Sequence, residues 1–149
     1  MTRDGMASRY FRRFGRACAD VAPLLERRDA LRDGVRGQSV GARGAASACR
    51  DGGMAARADA MARVESRIGD ALALVDEGLA VIGGIGAALG ERYAAVMFSR
   101  YYCGLAWHAV AHDAGMSERW CAQAEAVCLG YVDSVGISGA IEARPIPRT

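Results

Sequence analysis

The stretch from Trp107 to Cys121 constrains this chain more than any other, because its small, apolar and turn-forming residues fall where two short crossing helices need them. Counted from Trp107, Ala111 is fifth and Gly115 ninth, with Val110, Ala114, Met116 and Cys121 at the fourth, eighth, tenth and fifteenth places. A small side chain at Ala111 lets the second helix cross closely, and Gly115 can take the positive φ that turns the chain. Ser117 is a natural N-cap for a following helix over about residues 118–132, its hydroxyl accepting from amides that have no intrahelical partner. Val110, Ala114, Met116, Cys121 and Ala124 are then expected as the small core between the helices. Glu118, Arg119, Ala122 and Gln123 are expected to face outward, as the residues of a recognition helix do.

At 149 residues the chain has room for one domain or a small module with a helical extension. Apolar residues recur every three or four positions with few β-branched runs and only three Pro, which predicts an all-α fold. All nineteen basic residues are Arg, an imbalance that a GC-rich coding sequence also produces, so it is not evidence for nucleic-acid binding. The net charge is only +2, and any basic footprint must be local. Residues 1–36 carry nine Arg against five acids, whereas residues 91–149 carry five against six. The basic end is thus remote in sequence from the crossing helices.

The organisation expected along the chain has four parts. Residues 1–19 read as a basic arm in which Arg9, Arg12, Arg13 and Arg16 interleave with Tyr10, Phe11 and Phe14, suited to phosphate and base contact or to loose order. Residues 20–86 read as a helical hairpin: a helix over about 21–34 capped by Asp20 with Pro23 in its first turn, a Gly-rich loop over 34–53, and a second long helix. In that second helix Met61, Ile68, Val75, Ile82 and Leu89 are seven apart, with Val64, Leu72 and Leu79 filling the alternate row. Such a seam implies coiled-coil packing, against the first helix or against a second copy of the chain. The glycines at 83, 84 and 86 are expected to hinge it. Residues 87–135 hold a third helix over about 91–103 and the two crossing helices, and residues 136–149 form a frayed tail.

Cys18, Cys49, Cys103, Cys121 and Cys128 are odd in number and scattered at apolar positions, so they read as reduced, buried thiols in a cytoplasmic protein. The Arg-rich start lacks the apolar core of a secretory signal, and Asp76, Glu77 and four Gly interrupt the run from Leu72 to Leu89, so no membrane span is expected. His108 and His112 are spaced like a metal pair, but no Cys-x-x-Cys pair accompanies them and both lie away from the core; no metal or cofactor is expected. Neither a Ser/His/Asp arrangement, a P-loop nor a paired-carboxylate motif is present above chance, which argues against an enzyme.

Leu89, Arg100-Tyr101, Gly104-Leu105, Trp107, Val110-Ala111, Met116-Ser117 and Cys128-Leu129 together resemble phage-type regulators of the RinA and ArpU kind, over roughly residues 20–135. The resemblance implies a sigma-factor region-4-like helix-turn-helix after a helical hairpin, binding double-stranded promoter DNA and touching RNA polymerase. On that footing Arg119 and Gln123, four apart, are expected to reach guanine and adenine edges. Ser117 caps its helix or meets a phosphate, and Glu118 and Ala122 share the outward face. Trp120 is expected at the groove surface. Arg100 and Trp107, the latter wedged against Tyr101 or Tyr102, complete the candidate DNA-contact set.

The chain departs from the family where reading occurs, since Arg119 stands against Asp113, Glu118 and Glu125 over residues 104–131, a net charge of −2. Phosphate neutralisation supplies most non-specific affinity, so Arg92, Arg100 and the N-terminal arm would have to compensate. A homodimer would do so with two readers. The alternative is a non-enzymatic protein-interaction module, a degenerate helix-turn-helix that meets RNA polymerase or another host protein through Trp120 and the acidic face.

Overall fold

The computed structural model of the chain describes residues 5–41 and 47–143, with side chains over 5–34 and 53–143. It is all-α, with no strand among the described residues. Helix α1 spans Met6–Gly41 and α2 spans Ser47–Leu89. Helix α3 spans Glu91–Met97 and runs into a π-helical turn over Phe98–Tyr102. Helices α4, Trp107–Ala114, and α5, Glu118–Glu142, follow. Contacts divide the chain into a first unit, residues up to 18 with those from 74 onward, and a second unit, residues 19–73.

The basic arm is not an arm. Ala7, Tyr10, Phe11, Phe14 and Ala17 recur every three or four positions and are buried, while Arg9, Arg12, Arg13 and Arg16 occupy the opposite, exposed face. That stripe extends the first helix back to Met6, so Asp20 is a mid-helix residue and Pro23 lies inside the helix rather than in its first turn. A proline there has no amide hydrogen to donate, so the Ala19 carbonyl, four residues earlier, lacks its helical hydrogen bond. The loop expected over 34–53 is helical over 34–41 and 47–53; residues 42–46 and the side chain of Cys49 lie outside the described set.

The core of the first unit joins Ala7, Phe11 and Phe14 of α1 to Val81, Ile82 and Ile85 of α2, Met97 of α3, and Cys128, Val132 and Ala140 of α5. Ile68 and Ile82 of the expected seam are buried, but the alternate row is Val64, Ala71, Gly78 and Ile85, and Leu72 is 44% exposed. Small residues fill that row for a physical reason: a side chain on Gly78 would occupy the place of the Phe14 ring. In this unit, therefore, α1 of the same chain covers the seam. In the second unit Leu24, Val64, Ile68 and Ala71 are buried, and Arg32 lies 3.8 Å from Glu65, a half-exposed pair worth less than about 1 kcal/mol.

Two expected breaks are absent. Helix α2 continues through the glycines at 83, 84 and 86 to Leu89, and Gly84 lets the α5 backbone at Ala140 approach closely; the chain turns instead at Gly90, φ 118°. Helix α5 bends at Gly136, φ 77°, but resumes to Glu142 with Ala140 fully buried, so the stretch from 136 to 142 is packed rather than frayed. By length and composition alone, Gly53–Leu89 and Glu118–Glu142 are long and apolar enough to cross a membrane.

Candidate functional site

The geometry around Gly115 follows from local chemistry. Gly115 adopts φ 64°, ψ 29°, and its amide and that of Met116 close α4 by donating to the carbonyls of His112 and Ala111 at 3.2 and 3.1 Å. A left-handed residue at this place suits glycine because it has no Cβ to clash. Ser117 is extended, and its Oγ accepts from the Trp120 amide at 3.1 Å, capping α5. Ser117→Ala is expected to cost about 1 kcal/mol, read as a lower melting temperature and faster amide exchange in the first turn of α5.

Val96, Val110, Ala111, Cys121 and Ala124 are buried between α3, α4 and α5, and Met116 packs against them. Ala114, expected in this core, is exposed. Met116 folds back to bond Ala111 and closes that end of the core in its place. Glu118, Arg119, Ala122 and Gln123 are all exposed on α5, on the side away from Cys121, Ala124 and Cys128.

The two tryptophans depart from expectation. Trp120 is only partly exposed, its ring 5.7 Å from that of Tyr93, because the third position of α5 faces α3. Trp107 packs under the Arg100 guanidinium, centred 4.6 Å above its ring, rather than against Tyr101 or Tyr102. Tyr102 stacks on Phe98 at 4.7 Å, and Tyr101 meets Phe11 at 5.3 Å. Arg100 also donates from Nη1 to the Leu105 carbonyl at 2.9 Å. Half-buried and engaged twice, it fixes the turn between α3 and α4, whereas Arg119 extends into solvent.

Tyr101 donates its hydroxyl to Glu125 Oε2 at 3.1 Å, and burial, then the neighbouring carboxylate, hold the phenol well above its usual range. Tyr10 is treated alike by burial and by Glu77, whose Oε1 accepts at 2.8 Å. That second pair lies in a cleft of about 590 Å³ lined also by Arg9, Arg13 and Ser138. Burial likewise pushes the Cys128 thiol up to about 12. Cys121 is buried as expected, but Cys103 is exposed. His108 and His112 are exposed, and among the described residues no group of three or more His, Cys, Asp or Glu could hold a metal.

What the sequence reading missed is the place of the first turns of α1. A Cβ on Gly15 would lie 3.6 Å from the Tyr101 carbonyl, and the Ala7 amide donates to Asp133 Oδ1 of α5 at 2.8 Å. The basic segment, remote in sequence, therefore lies beside α5. Its signal was the apolar spacing of Ala7, Tyr10, Phe11, Phe14 and Ala17, which the four arginines obscured. Comparison with known families, with curated proteins and with solved structures found no match.

Proposed function

We propose that the chain is a DNA-binding transcriptional regulator of phage type, in which α4 and α5 form a sigma-factor region-4-like helix-turn-helix. The observation that carries this reading is the Gly115 turn with the Ser117 cap, which leaves Glu118, Arg119, Ala122 and Gln123 as one exposed row at the start of α5. A helix that begins so can enter a major groove with its N-terminal residues against base edges. Within that row Arg119 reads guanine and Gln123 reads adenine, while the hydroxyl of Ser117, just before the row, accepts its capping bond and donates to a phosphate. The chain works in the cytoplasm as a homodimer, with RNA polymerase as a further partner.

The test is binding of the full chain to a labelled fragment from upstream of its neighbouring genes, against random duplex, across a salt series. Specific retention with a steep salt slope supports the proposal, and Arg119→Ala then weakens it by about 1 to 3 kcal/mol with no change in melting temperature. An unchanged affinity removes Arg119 from the contact set.

A second reading, a protein-interaction module, is favoured by the net −2 charge over residues 104–131 and by Val127 and Val135, which are 48% and 41% exposed on α5. Absence of DNA binding even at low salt selects it.

A further inference from the structure

We infer that the cleft between α1, α2 and the end of α5 binds a small organic monoanion, a carboxylate on an apolar body, with Arg9 and Arg13 as its charge partners. The cleft lies wholly within the first unit, and the inference holds whether or not α5 reads DNA. Three helices build it. Arg9 and Arg13, one turn apart, come from α1 with Tyr10 between them, Leu74 and Glu77 from α2, and Ile137 and Ser138 from α5. Gly136, at φ 77°, redirects α5 immediately before the two residues it contributes. At about 590 Å³ the cleft has the size of sites that hold small molecules.

The lining is chemically divided. Met6, Leu74 and Ile137 offer apolar surface, and the last two also pack on the core, which holds them in place. The polar groups are out of balance: two arginines stand against the one carboxylate of Glu77, a net of +1. That carboxylate is already engaged, its Oε1 accepting from the Tyr10 hydroxyl at 2.8 Å, and neither arginine is ion-paired among the described residues. Arg13 lies close enough to Tyr10 for its charge to bear on the phenol, so the cation and the Tyr10 to Glu77 pair share one end of the cleft. A cationic ligand would meet two like charges there, and the second charge of a dianion would meet Glu77. A single carboxylate suits both limits, because a planar guanidinium donates two parallel bonds to it. The Ser138 hydroxyl adds a donor, and an apolar body attached to the carboxylate would leave water against Leu74 and Ile137.

The experiment is titration calorimetry of the full chain with octanoate, acetate and 1-octanol. Octanoate is expected to bind, and the other two to bind about tenfold more weakly or less, since acetate lacks the apolar body and octanol the charge. Arg9→Gln/Arg13→Gln changes two exposed side chains, so the melting temperature should stay parental while octanoate affinity falls by about tenfold or more. The single Arg13→Gln, with a smaller loss in the same direction, serves if the double variant melts early. Octanol binding as tightly as octanoate, or octanoate affinity unchanged by the arginine variants, removes the charge partners and overturns the inference. Acetate binding as tightly as octanoate removes the apolar wall and overturns it equally, as does a parent chain that binds no octanoate. None of these outcomes touches the DNA-reading proposal, which the salt series tests by itself.

Discussion

Phe11→Ala is expected to destabilise the first unit by about 3 to 5 kcal/mol, the cost of emptying a wholly buried aromatic site. Phe11 has no exposed surface, and its ring meets Tyr10 edge-on at 5.5 Å, Phe14 edge-on at 6.1 Å and Tyr101 at 5.3 Å. Removing it strips a ring contact from Tyr101, whose hydroxyl bonds Glu125 and ties the π-helical turn to α5. For a chain of this length the loss corresponds to a fall in melting temperature on the order of 10 °C. A loosely ordered basic arm would lose nothing by the same change. Urea unfolding followed by circular dichroism separates the two: a parental midpoint would remove the start of α1 from the core.

The parts of the fold written in local chemistry were legible. Gly115 and Ser117 act on their immediate neighbours, so their positions alone placed the turn, the cap and the outward row of α5. Features decided by distant partners were not legible. The alternate row of α2 was read from its large apolar residues, Leu72 and Leu79, yet the row that packs includes Gly78, kept small by the Phe14 ring more than sixty residues earlier. Trp120 looked like a groove-surface residue until Tyr93, on a different helix, took its ring. For another reason, the glycines at 83, 84 and 86 do not break α2. Each interior glycine costs a helix only about 1 kcal/mol, and a helix already propagating from both sides absorbs several of them. The candidate site was accordingly half visible: its exposed row on α5 follows from helical period, whereas the partial burial of Trp120 beside it depends on a tertiary contact.

Gly83 and Gly84, adjacent in α2, are expected to respond to alanine with opposite signs. Gly83 is exposed, with open space where a Cβ would stand, so Gly83→Ala adds helix propensity and stabilises by about 0.5 to 1 kcal/mol. Gly84 is buried against the Ala140 carbonyl, and a Cβ there would overlap backbone rather than a side chain that could change rotamer. Relief requires α2 and the last turns of α5 to separate, which exposes Ala140 and works against a close-packed interior; the expected loss is about 3 kcal/mol. The resulting gap of about 4 kcal/mol is close to a thousandfold in the folding constant, well within the reach of denaturant midpoints. A hinge at these glycines would give a different result, since stiffening it at either position would add similar helix propensity and both variants would gain. Matching gains would therefore detach the end of α5 from α2, and a loss confined to Gly84→Ala would establish that the helix continues past Gly136 because its backbone has a glycine to rest on.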